Sequence, residues 1–312
     1  MTEPIAARGP TAARPTATQW LAGARPRTLP AACSPVIAGT GLAVFAARAS
    51  WLAALLALIV SLALQVGVNY ANDYSDGIRG TDVDRVGPLR LVGSGLASPP
   101  LVKRAAFVSF GIAALAGLGL VIMTHHWWLL AVGAACVLAA WYYTGGKRPY
   151  GYAGLGEVSV FIFFGLVAVC GTVYVQAGRI WTSTVLTGVW VGALACAILV
   201  ANNLRDIRGD TQVGKRTLAT RLGDARTRAL YLILLSLSAL LIITVALLTS
   251  WWALLGLGGL ALLIPAVRTV VSGGTGPALI AVLKATGLAE LITAVGFAAG
   301  LILSNVGLAT FQ

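Results

Sequence analysis

The stretch Asn69–Asp84, NYANDYSDGIRGTDVD, decides how the rest of the chain reads. It ends a long apolar run and holds Asp73, Asp76, Asp82 and Asp84, four of the ten acidic residues in 312. On a helix continuing from that run, Asn69, Asn72, Asp73 and Asp76 have the i, i+3, i+4, i+7 spacing that places their oxygens on one face. Such a face suits a divalent cation. A fainter copy, ANNLRDIRGD, spaces Asn202, Asp206 and Asp210 every four residues, as Asn72 and Asp76 are spaced. Two oxygen-rich helix ends of this kind point to Mg2+ and a phosphorylated substrate.

Hydrophobic residues make up 58% of the chain and charged residues only 10%, which is the composition of a polytopic membrane protein. A crossing needs about 20 apolar residues. Nine candidates appear, at roughly 28–47, 51–71, 102–122, 127–143, 156–175, 183–203, 229–249, 251–271 and 280–303. The basic residues test this count independently, because cytoplasmic loops collect Lys and Arg. With nine spans, 20 of the 22 basic residues fall on one side, against Arg48 and Arg179 on the other. The expected architecture is therefore an all-α bundle of nine transmembrane helices. Its N-terminus is cytoplasmic, its C-terminus extracytoplasmic, and both acidic stretches lie at the cytoplasmic face.

The net charge of +12 follows from that topology and from anionic headgroups. Nucleic acid is excluded as a partner, because no soluble basic domain exists to carry it. Residues 1–20, rich in Ala, Pro and Thr, read as a disordered cytoplasmic tail, and 21–312 as a single transmembrane domain. Cys33, Cys136, Cys170 and Cys196 fall singly within spans and read as small core residues, neither disulfides nor zinc ligands. His125 and His126 precede Trp127 and Trp128 in an outer loop, as an interfacial belt would. Gly209 to Lys215 fits most of a Walker A pattern, but Arg216 replaces the required Ser or Thr and a membrane helix replaces the strand.

Basic and aromatic residues surround the acids. Arg25 and Arg27 in RPRTLP precede the first span, as a topological anchor or as anion ligands. Arg79, Arg85 and Arg90 lie in a connection long enough to act as a lid or binding loop. The stretch WYYTGGKRPYGYAGLGE carries Tyr143 and Lys147, four apart but separated by two glycines, then Arg148 and Glu157. Lys215 and Arg216 follow the second cluster, and Glu290 is a lone acid in the ninth span. Like charges 4 Å apart repel by about 4 kcal/mol at an effective dielectric near 20. Something cationic must offset that repulsion. Mg2+ prefers oxygen ligands and is usually held by one or two carboxylates plus substrate phosphates. Two facing clusters would hold two ions bridging a diphosphate. A leaving diphosphate at the rim of a lipid-open cavity calls for an amphiphile such as a polyprenyl diphosphate.

At these residues the chain resembles the UbiA superfamily of intramembrane prenyltransferases, which has nine transmembrane helices and Asp-rich motifs after the second and sixth. The resemblance rests on NDYSDGIRGTD, and on NNLRDIRGD followed by GKRTLATRLG. Within the superfamily, RPRTLP, GTD, GPLRLVGSGLASP and RDIRGDTQVGKRTLA are similar to the menaquinone branch. That branch transfers a polyprenyl chain to 1,4-dihydroxy-2-naphthoate with loss of CO2, by electrophilic aromatic alkylation. The resemblance implies that Asn72, Asp73, Asp76, Asp82, Asp206 and Asp210 hold Mg2+ and diphosphate. It also places Tyr143 and Lys147 near the diphosphate and the reacting carbon. Asn69, Asn202, Asn203 and Arg205 join the basic residues as substrate-binding candidates. One departure stands out: the general NDxxDxxxD form puts an Asp at position 80, where this chain has Gly80 and then Asp82. Alternatives left open are a 4-hydroxybenzoate or haem acceptor and, from another class, a secondary transporter. Prenyl length and any homo-oligomer are also open.

Overall fold

The computed structural model describes residues 15–80 and 89–309, and these contain helices and turns but no strand. All nine expected apolar elements are helical and occur in the expected order, making this a multi-pass membrane protein. The expected count needs one correction. Among the described residues, seven single helices are long and apolar enough to cross, an eighth element is a broken pair, and the ninth is short.

The breaks have local causes. Helices α10 (Leu257–Ala261), with the 3-10 turn before it, and α11 (Ile264–Val271) meet at 49°. Pro265 lies at the start of α11, where it removes an N–H and its ring opposes the preceding turn. Helix α5 (Leu129–Tyr142) has only 14 residues, about 21 Å at 1.5 Å per residue. The chain leaves it through Gly145 and Gly146, the latter at φ +76°. The first element begins earlier than expected: α1 (Ala17–Gly23) starts inside residues 1–20, the stretch read as disordered tail, and runs three residues past it. Thr16 and Gln19 close it with a capping box. A 3-10 turn then leads into α2 (Leu29–Phe45).

Two of the helices longer than the hydrocarbon end in the acidic motifs. Helix α3 (Trp51–Arg79) has 29 residues and α8 (Thr182–Gln212) has 31, lengths of about 43 and 46 Å against a hydrocarbon core of about 30 Å. Their C-terminal turns carry the two acidic motifs beyond the apolar layer. Helix α8 is central, packed by α9 (Leu218–Leu248), α12 (Pro277–Ala309), α7 (Ala168–Ala177) and α2. Trp190 of α8 meets Phe297 of α12 edge to face at 5.5 Å between ring centroids. Glu290 of α12 is fully buried there with no hydrogen-bond partner among the described residues, while Lys284 is exposed. All four cysteines are free.

The span from α6 (Gly156–Val160) to α7 widens into a π-helical turn over Phe161–Val167. Gly165 in that turn lies against α8 so closely that a Cβ would stand 2.5 Å from the Gly188 carbonyl oxygen and 2.6 Å from Gly192 Cα. On its other side this span faces a cavity of about 790 Å3, walled by α2, α3, α4 (Pro99–Thr124) and α5. Aliphatic, phenylalanine and small residues form most of the wall. Gln65, Asn69, Asn72, Tyr143, Tyr150 and Ser159 bring polar atoms to it. The α3 residues among them climb turn by turn toward Asp76.

Candidate active site

The first motif is helical to Arg79 and ends in Gly80 at φ +69°, a left-handed C-cap. At about 100° per residue, Asn72 and Asp73 diverge by that angle, with Asp76 between them. The nominal single face therefore divides among three neighbours. Asn69 turns toward the N-terminal corner and donates to the Ala24 carbonyl at 2.8 Å and to Thr28 Oγ1 at 3.0 Å. Thr28 also accepts from Gln65 at 2.8 Å and donates to the Arg25 carbonyl at 2.9 Å, which fixes the corner where Arg25 is left-handed at φ 54°. Asn72 accepts from the Thr144 hydroxyl at 2.7 Å.

Asp73 has a different place from the one its spacing implied. Its two carboxylate oxygens accept the backbone N–H groups of Leu91, at 2.7 Å, and Val92, at 3.0 Å. It is 1% exposed and anchors the returning loop, whose Leu91 is wholly enclosed. Asp76 faces the other functional groups. The Tyr152 hydroxyl donates to its Oδ1, Arg90 approaches Oδ2 at 3.3 Å, and the Lys215 ammonium stands 3.9 Å from Oδ1. Arg79 reaches sideways to the carbonyls of Thr144 and Gly146. Asp82 and Arg85 lie outside the described residues.

The second motif continues helix α8. Arg205 holds both oxygens of Asp206 at 2.7 Å and also donates to Asn202 at 2.9 Å. Asn203 is buried and donates to Glu157 Oε1 at 2.9 Å, so the carboxylate at the start of α6 has the partner it requires. After Gln212 the chain turns at Gly214, and the Lys215 N–H donates to the Asp210 carbonyl at 2.8 Å. Lys215 thereby joins the two motifs: its backbone rests on the second and its ammonium faces the first.

Tyr143 lines the cavity and stacks edge to face on Tyr150 at 5.5 Å. Tyr150 donates to the Ala139 carbonyl at 2.7 Å. Arg25 is half-buried, and its charge acts on Asp73. Lys147, Arg148 and Arg27 are not gathered in: they are exposed and make no hydrogen bond or ion pair among the described residues. The residue missed in the sequence is Tyr152, whose hydroxyl meets Asp76 across 76 positions. Its place in PYGYAGLGE was visible, but nothing periodic singles it out.

No three His, Cys, Asp or Glu side chains converge as a metal cage among the described residues. The donors present are hard oxygens, and each motif presents carboxylates singly beside Arg or Lys. That donor set fits Mg2+, which normally shares its shell with substrate phosphates.

The chain matches the UbiA prenyltransferase family over residues 32–273. It is 56% identical to a 1,4-dihydroxy-2-naphthoate octaprenyltransferase of Mycobacterium tuberculosis, covering 91% of this chain and 96% of the relative. The Escherichia coli protein with the same description is 39% identical over 92% and 96% of the two chains. Among solved structures, a UbiA homolog from Archaeoglobus fulgidus bound to DMAPP and Mg2+ superposes with a TM-score of 0.63. The sequences are 16% identical, and the match covers 91% of this chain and 99% of that one.

Proposed function

The chain belongs to the UbiA prenyltransferase family, and from that premise we propose that it transfers a polyprenyl chain from its diphosphate to 1,4-dihydroxy-2-naphthoate. Diphosphate and CO2 leave, and the product is the quinol form of demethylmenaquinone, which oxidation converts to the quinone. The observation that carries the acceptor is the 56% identity to the mycobacterial relative, which spans nearly the whole of both chains. The site is in keeping with it: an apolar cavity for the prenyl tail opens beneath Asn69 and Asn72 of the first motif, and Lys215, which follows the second motif, stands 3.9 Å from Asp76.

In this reading Asn72, Asp76, Asp206 and Asp210 hold Mg2+, which when bound neutralises charge on the leaving diphosphate. Arg90 and Lys215 contribute fixed positive charge to the same group. As the allylic carbon–oxygen bond breaks, its electron pair departs with the diphosphate. The diol ring then forms the new carbon–carbon bond at the carbon bearing the carboxylate. Loss of CO2 returns an electron pair to the ring and restores its aromaticity. The aliphatic walls and Phe163 and Phe164 exclude water, which would otherwise capture the cation. Tyr143 is placed to face the reacting carbon, and Asp73 serves by holding the loop that carries Arg90. Residues 21–312 act as one domain, with the N-terminus and the active site cytoplasmic and the C-terminus outside.

The test uses purified full-length protein in nanodiscs with Mg2+, octaprenyl diphosphate and 1,4-dihydroxy-2-naphthoate. Expected is a decarboxylated, prenylated naphthalenediol, or its quinone after oxidation in air, identified by mass, abolished by EDTA and restored by Mg2+. Prenylation of 4-hydroxybenzoate in its place would overturn the acceptor assignment.

A further inference from the structure

Tyr152 has no role in the reading above, yet it touches Asp76, Lys215 and Arg79. It sits in the 3-10 turn Tyr150–Ala153, between α5 and α6. Its hydroxyl donates to Asp76 Oδ1, on the first motif. Its ring centroid lies 4.5 Å from the Lys215 ammonium and 5.6 Å from the Arg79 guanidinium. Its carbonyl accepts the Arg216 N–H at 3.0 Å, and the next carbonyl, Ala153, accepts from Arg221 at 2.7 Å. The first-motif helix and the turn after the second motif are thus both fastened to this one short segment.

The chemistry of tyrosine matters here. A carboxylate between Arg79 and Lys215 would hold both cations but cancel their charge. An aromatic face attracts cations through its quadrupole and leaves their charge available to an anion. The phenol likewise orients Asp76 without adding charge.

We propose that Tyr152 is a positioning residue that couples metal binding at Asp76 to diphosphate binding at Lys215 and Arg79. The hydroxyl sets the carboxylate, the ring spaces the cations, and a diphosphate bridging the motifs meets both already arranged. The proposal rests on the functional reading above for its ligands, but its test needs no turnover.

The test compares wild type, Tyr152→Phe and Tyr152→Leu as full-length protein in nanodiscs. Mn2+ binding is followed by electron paramagnetic resonance with and without inorganic diphosphate, and diphosphate binding is measured without metal. Losing an outer partner of a metal ligand typically costs 10–100-fold in affinity, so Tyr152→Phe should weaken Mn2+ about tenfold. Its metal-free diphosphate affinity should stay within about twofold, because the ring remains. Tyr152→Leu should weaken both, and the factor by which diphosphate tightens Mn2+ should fall toward one. Wild-type Mn2+ affinity in Tyr152→Phe overturns the proposal. So does equal loss of both ligands in the two variants with a matching fall in Tm, which would mark a merely structural tyrosine. No aromatic acceptor is present in these assays. Failure of the wild type to prenylate 1,4-dihydroxy-2-naphthoate would therefore overturn the function and leave these results standing.

Discussion

Asp73→Asn separates a loop anchor from a metal ligand. The carboxylate receives two backbone N–H groups, at 2.7 and 3.0 Å, in a position that is 1% exposed. Asparagine keeps the shape but offers one acceptor oxygen, and its own NH2 must face the other donor. The change removes one charge-assisted hydrogen bond and strands one buried N–H, together about 3–5 kcal/mol. Against that, docking of the loop retains the burial of Leu91, about 1.5–3 kcal/mol for a leucine-sized side chain. The loss matches or exceeds the burial of Leu91, while the burial of Ala97, the packing of Val92 and Leu96 and the Arg90–Asp76 pair remain, so residues 89–97 should open more often while the bundle stays folded. Limited trypsin digestion in nanodiscs reads this directly, as faster cleavage after Arg90. Mn2+ affinity, measured alongside by electron paramagnetic resonance, should change little. Asp76→Asn should do the reverse, weakening Mn2+ with wild-type cleavage at Arg90. An Asp73→Asn protein with wild-type cleavage and lost Mn2+ binding would refute the reasoning.

Asp206→Asn removes the charge that Arg205 brackets, and product formation at fixed Mg2+ should drop by about 10^2-fold or more, as when a transition-state stabilising group is lost; Tm recorded in parallel should move little. Gly165→Ala places a methyl group 2.5 Å from the Gly188 carbonyl oxygen, and such overpacking costs about 1–3 kcal/mol, seen as a lower Tm in detergent. Gly171→Ala, where nothing lies within 4 Å of the added Cβ, is the control and should not shift it. Glu290→Gln keeps the shape of a fully buried acid that has no hydrogen-bond partner among the described residues and takes away an ionisable group, so Tm should be unchanged or higher. A marked fall would show that the carboxylate itself has a partner.

The legible part of the fold is the part set by local chemistry. Nine apolar runs emerged as nine helical elements because hydropathy is a property of each segment alone. The helical continuation of both motifs was legible for the same reason: oxygen-bearing residues every three or four positions make sense only on a helix. The break before α11 also has a local cause in Pro265, which lies inside a run read as one span. What could not be read were choices made by chain return. Asp73 and Asp76 look alike in sequence and share a helix. One meets the amides of Leu91 and Val92, the other Tyr152, Arg90 and Lys215, and these partners are supplied by three separate segments. Lys147 is set by the turn and not by a helix: α5 stops at Tyr142, Gly145 and Gly146 follow, and the Lys147 side chain is exposed.

The overhang of α3 and α8 links the two levels. An acid inside the hydrocarbon is expensive to keep charged, whereas an acid on an independent loop would not be held to the geometry that catalysis needs. Extending the two helices by about 13–16 Å beyond a core of roughly 30 Å resolves this conflict. The acids stand beyond the apolar layer, yet each is fixed by the same continuous hydrogen-bonded rod that forms the bundle. The cavity then begins one turn below, at Asn72 and Asn69 on the α3 rod. A charged diphosphate and an apolar chain can thus bind as one molecule across the boundary. Shifting the motif by inserting one residue into α3 between Gln65 and Asn69 should turn Asp76 by about 100° away from Tyr152 and Lys215. Diphosphate binding should be lost while the insertion protein still assembles in the membrane, and retained binding would show that the rod does not set the geometry.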